Sequence, residues 1–123
     1  MPPADYRPVS AEGGAGAQRH ASVVGLRPEH ADAYLAEHER VWSGVLEVLT
    51  RCNVRNYSIF QHRNLLISYF EYVGQNFKVD MATIAADRVT QAWWALVQPY
   101  QRRLEETPPG EWWLPIPEVF HLD

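Results

Sequence analysis

The chain has 123 residues, of which 46% are hydrophobic, 21% charged and 12% aromatic, and its 11 basic and 15 acidic residues give a formal charge of −4. That size and composition suit one soluble domain with a single core, and a net negative chain without a basic stripe is poorly made for nucleic acid. No apolar run is long enough to cross a membrane, and Cys52, the single cysteine, excludes an intrachain disulfide or a Cys-based metal cluster.

Residues 1–18 are rich in Pro, Ala and Gly, show no periodicity and read as a disordered tail, which leaves 19–123 to carry the fold. The opening MPPADYRPVSAEGG lacks the charged-then-apolar pattern of a secretory leader, so a cytoplasmic location is expected. The run from His20 reads as a strand ending at Pro28, because the residue before a proline is biased to extended geometry. From 29 to 51 the period is helical, with Tyr34, His38, Val41, Trp42, Val45, Val48 and Leu49 on one side. Gly44 lowers helix propensity there and marks close packing.

Two β-rich runs, 54–61 and 65–73, flank His62-Arg63-Asn64 and read as a hairpin. Residues 74–88 are short irregular or helical structure, and 89–104 are helical with Trp93, Leu96, Val97 and Tyr100 on one stripe. Pro99 kinks that helix or starts a new turn. The closing EWWLPIPEVFHLD is extended, and Pro115 and Pro117 confine it to an edge. The order strand, helix, strand, strand, helix, strand is the ferredoxin-like α+β plan, an antiparallel sheet with helices on one face. So short a chain has no element for the other face, which points to a second copy or an open aromatic cleft.

No nucleotide, zinc-protease, redox or nucleophile-elbow motif is present, and the five His residues at 20, 30, 38, 62 and 121 are too scattered to suggest a metal site. His38 is the residue to single out. Tyr34 lies one turn before it and Trp42 about one turn after it on the same helix face. The trio reads either as core packing around a satisfied histidine or as a neutral imidazole beside a phenol, a pair suited to proton transfer. Trp93-Trp94 and Trp112-Trp113 serve packing or offer a flat platform to a ligand, and neighbours on a helix point about 100° apart. Glu71 and Glu118 are either partners for Arg or solvent-facing.

The stretches Tyr34-x-x-x-His38-x-x-x-Trp42, RNYSIF, RNLLISYFEY, QAWWALV and PEVFHLD, in this order between about residues 20 and 122, resemble the L-rhamnose mutarotase family. The resemblance implies a homodimer of the dimeric α+β barrel type that interconverts the α and β anomers of L-rhamnose or a related deoxysugar, without metal or organic cofactor. It places the catalytic pair on His38 and Tyr34, and substrate contacts on Trp42, Asn56, Trp93 and Trp94. A small sugar or related hemiacetal is the implied partner, with no nucleic acid and no membrane. The chain departs from the family pattern at Ser43, Gly44, Phe60 and Ala92. Two rival readings stand beside it: another enzyme of the same scaffold acting on a hydrophobic compound, and a dimer that binds a small ligand without turnover.

Overall fold

The computed structural model describes residues 16–123. The expected tail therefore falls outside the described residues up to residue 15, and Gln18, expected in that tail, already belongs to the first strand. Strand β1 (Gln18–Leu26) ends two residues before Pro28, and Pro28–His30 form a single 3-10 turn that leads into α1 (Ala31–His38). After α2 (Ser43–Arg51) come the hairpin strands β2 (Val54–His62) and β3 (Leu65–Tyr72). Helices α3 (Phe77–Ala86) and α4 (Arg88–Val97) follow, then the short strands β4 (Gln101–Arg102) and β5 (Leu114–Ile116).

Two expected helices are corrected. The segment 29–51 is not one helix, because α1 stops at His38. The amides of Glu39 and Arg40 fall back to residues three before them, and Trp42 is extended at ψ 135°. The Trp42 carbonyl then accepts from Val45 and Leu46 to start α2. Tertiary packing overrides the local period here: the bend lets Val41 join the main core and sets Trp42 against Trp93. Gly44 does mark close packing, since a Cβ there would lie 2.9 Å from Val89 Cγ1 of α4. The second helix, expected over 89–104, ends at Val97, where Pro99 enters a 3-10 turn. The irregular 74–88 stretch is mostly α3, capped by Asn76, whose side chain accepts from the Val79 amide. Asp87 caps α4 in the same way, accepting from the Thr90 amide and hydroxyl.

The antiparallel sheet has the order β2-β3-β1-β4, with β5 also paired to β1. It is an α+β fold whose sheet curls into a half-barrel, not a closed barrel. Side chains alternate between its faces. Val24, Leu26 and Leu66 meet Tyr34, Val45, Trp93 and Val97 in the main core on the helix side. A smaller cluster of Val48, Cys52, Val54 and Ile84 closes the far end. On the other face the register lines up Phe60, Ile67, Val23 and Leu114 in one row across β2, β3, β1 and β5. No helix among the described residues covers that row: Phe60 is 59% exposed and Ile116, in the next row, 39%.

Candidate active site

The helical spacing of Tyr34 and His38 puts both side chains on the same stripe of α1. Their rings stack with centroids 4.0 Å apart at an interplanar angle of 27°. Tyr34 is 2% exposed, and burial pushes its phenol well above the usual tyrosine range. His38 is half-buried. Its Nδ1 lies 2.9 Å from the Tyr34 carbonyl oxygen. A carbonyl only accepts, so in the neutral ring Nδ1 carries the hydrogen and Nε2 keeps its lone pair. Burial lowers the His38 pKa, with the bond to Tyr34 working in the opposite sense, and the ring is therefore neutral at pH 7. The result is an imidazole with a free basic nitrogen lying on a phenol that stays protonated.

Trp93 joins these residues to Trp42. It is a buried α4 residue, edge-on to His38 at 5.2 Å and edge-on to Trp42 at 5.3 Å. Trp42 reaches it from the start of α2, so the expected line of three residues on one helix is replaced by a cluster from α1, α2 and α4. Trp94 is turned away on the α4 surface, 37% exposed. Asn56 is not brought to the cluster either. A bulge between Arg55 and Ser58, with Asn56 at φ 49°, interrupts the alternation of β2. The Asn56 side chain donates to Glu71 Oε1 at 2.8 Å, and Tyr69, also facing away from the helices, donates to Glu71 Oε2 at 2.8 Å.

The same bulge sends Tyr57 to the helix side, where its ring lies 5.6 Å from Phe70. Sequence reasoning missed Tyr57, because strict alternation from either end of β2 gives conflicting answers. It also missed Gln101, a buried glutamine in a two-residue strand whose local sequence carries no strand signal. Gln101 is 3% exposed and accepts from Trp112 Nε1 at 2.7 Å. The Ser22 and Ser68 hydroxyls, 2.6 Å apart across β1 and β3, add a polar spot to the helix-side face.

The remaining candidates resolve as structural. Arg19 holds Glu118 through two bonds of 2.6 and 3.2 Å, tying the C-terminal segment to β1. Cys52 is 3% exposed and its thiol pKa is raised by burial, which makes it a poor nucleophile. His20 stacks against both Phe70 and Phe77, at 5.1 and 4.3 Å. Among the described residues no group of three or more His, Cys, Asp or Glu is placed to hold a metal, and no helix is long and apolar enough to cross a membrane.

Comparison with known proteins adds to this geometry. The family model described as L-rhamnose mutarotase matches residues 19–122. An L-rhamnose mutarotase of Listeria monocytogenes is 30% identical over 105 residues, which is 85% of this chain and 98% of that one. One from Pectobacterium atrosepticum is 35% identical over 78 residues, 62% of this chain and 72% of its own length. Among solved structures, the L-rhamnose mutarotase of Formosa agariphila superposes with a TM-score of 0.68 at 22% identity, covering 86% of this chain and 99% of that one. The tetracenomycin F2 cyclase of Streptomyces glaucescens, a type-II polyketide cyclase, superposes with a TM-score of 0.61 at 15% identity, covering 86% and 97%. At such identities the superpositions speak for the fold alone, a fold that carries more than one chemistry.

Proposed function

The chain belongs to the L-rhamnose mutarotase family, and from that premise we propose that it exchanges the α and β anomers of L-rhamnose or a closely related deoxysugar, with His38 as base and Tyr34 as acid. The observation that carries this reading is the His38 Nδ1 bond to the Tyr34 carbonyl at 2.9 Å. It commits one ring nitrogen and leaves Nε2 as the only basic position, next to a protonated phenol.

The reaction follows from those two groups. His38 Nε2 takes the proton of the anomeric hydroxyl as the bond from C1 to the ring oxygen breaks. The Tyr34 phenol gives its proton to that ring oxygen. That oxygen becomes the hydroxyl of the open-chain sugar. The aldehyde rotates about C1–C2 and recloses on its other face. Tyr34 then recovers its proton from the attacking hydroxyl, and His38 returns its own to the new anomeric oxygen. Trp42 and Trp93 wall the ring and limit water, and Tyr57 closes the side facing the sheet. Asn56 serves the opposite face of the sheet through Glu71, and Trp94 stands apart from the sugar. Domain residues 19–123 suffice for this chemistry.

Two such chains form the working unit in this reading. The row Phe60, Ile67, Val23 and Leu114 is apolar and lies on the sheet face the helices leave uncovered. Packing it on its counterpart turns two half-barrels into one closed barrel and removes that surface from water. The test of the activity is anomer exchange followed by NMR saturation transfer on L-rhamnose and a panel of other deoxysugars. Exchange well above the buffer rate on L-rhamnose or a near relative is expected; buffer-level exchange on every sugar rules the activity out.

A further inference from the structure

The Ser22 and Ser68 hydroxyls meet at 2.6 Å on the helix-side face of the sheet, and the proton transfer makes no use of them. Ser68 is 3% exposed and Ser22 partly exposed, so the pair is sunk in the sheet with one accessible side. The strand register fixes what borders it. On one side, two residues along β1 and β3, lie the paired residues Val24 and Leu66, which pack in the main core with Tyr34 and Trp93. Ile59, opposite Ser68 on β2, packs against the same core. On the other side lie His20 and Phe70, also paired, with centroids 5.1 Å apart, and Tyr57, 5.6 Å from Phe70. Two residues along a strand span about 7 Å, so the hydroxyl pair stands roughly one pyranose width from the row on which Tyr34 packs.

The hydrogen-bonding capacity of the pair is only partly used. Two hydroxyls joined by one bond use one hydrogen and one lone pair, which leaves a second O–H to donate and further lone pairs to accept. Neither hydroxyl has another hydrogen bond among the described residues. A polar spot sunk between two aromatic groups has the composition a sugar needs, with rings for its C–H faces and donors and acceptors for a hydroxyl edge. We propose that Ser22 and Ser68 bind the edge of the sugar opposite C1, the hydroxyls on carbons 3 and 4, while C1 and the ring oxygen sit at His38 and Tyr34. The inference rests on the mutarotase reading of that second pair. It makes the serines specificity-determining. A sugar with hydroxyls on that edge satisfies the pair when it displaces water, and one without them leaves a buried hydroxyl short of a partner.

The test measures kcat and KM for anomer exchange by the unaltered chain, Ser22→Ala and Ser68→Ala, on L-rhamnose and on its analogues lacking the hydroxyl at carbon 3 or at carbon 4. On L-rhamnose each change is expected to raise KM about threefold to tenfold with kcat nearly unchanged. On at least one of the two analogues the unaltered chain already shows the raised KM, and the serine changes raise it no further. Titration of L-rhamnose followed by tryptophan fluorescence shows the same losses in binding, independently of turnover. Unchanged KM and binding on L-rhamnose overturn the recognition. So do equal losses on L-rhamnose and on both analogues, the result a purely cross-strand role of the serines would give. Buffer-level exchange by the unaltered chain on every sugar overturns the mutarotase reading, and the recognition with it, a result distinct from either of those. If Ser68→Ala does not fold, the partly exposed Ser22→Ala carries the comparison.

Discussion

One hydrogen bond makes His38 useful as a base. With Nδ1 held by the Tyr34 carbonyl, Nε2 is the nitrogen that titrates against the substrate, and burial lowers the pKa at which it does so. The sign of the pH dependence follows. A base works while unprotonated, so anomer exchange stays level from neutral pH down through the ordinary imidazole range. It then falls as pH drops through the lowered His38 value. A pH profile of kcat/KM measures this, and an acid limb above the ordinary imidazole range would contradict it. Stability follows the same direction. His20 and His38 are both lowered by burial, so the unfolded chain binds more protons than the folded one just below the ordinary imidazole pKa, and stability declines as pH falls through that window. At this scale the sequence was a good guide where one helical turn sets the geometry, as for Tyr34 and His38. It was a poor one where a bulge resets it. Asn56 and Tyr57 take the faces opposite to those that alternation from Val54 assigns, because the extra residue in β2 is invisible until the strand is paired.

Among the elements, β1 is the one on which the rest depends, since β3, β4 and β5 all pair with it. Gly25 is where β4 comes closest. A Cβ at this position would lie 2.8 Å from the Arg102 carbonyl oxygen and 3.2 Å from Arg102 Cβ. Backbone cannot yield as a side-chain tip does, so Gly25→Ala is expected to destabilise the fold by about 1–3 kcal/mol. Chemical denaturation of the variant checks this, and unchanged stability would show that β4 can shift. The strand was legible from its run of Val and Leu up to Pro28. The break between α1 and α2 was not, because residues 39–42 continue the helical period and contain neither Gly nor Pro. What ends α1 is the gain from seating Val41 in the core and Trp42 on Trp93, a tertiary effect that no local window contains.

For the molecule as a whole, the shortage of chain foreseen from its length is visible as an uncovered sheet face. Two layers, helices on one side and sheet on the other, exhaust the described residues. The strand order β2-β3-β1-β4 was implicit in the element order, but the strand β4, which lies inside the stretch 89–104 expected to be helical, was not. The proposed pairing makes a direct prediction. The unaltered chain has the mass of two copies in light scattering, and Phe60→Asp, which puts a charge in the apolar row, shifts it toward one copy at micromolar concentration. A monomeric mass for the unaltered chain would contradict the closed-barrel arrangement while leaving the helix-side site as it is.

The central claim is that His38 moves the anomeric proton. The most direct measurement is the anomer exchange rate of L-rhamnose by NMR saturation transfer for the unaltered chain and for His38→Ala, with circular dichroism showing that both are folded. The account predicts a fall of about a hundredfold or more, to near the buffer rate, since positioned acid–base groups contribute about that much. Exchange by folded His38→Ala at the rate of the unaltered chain would contradict it.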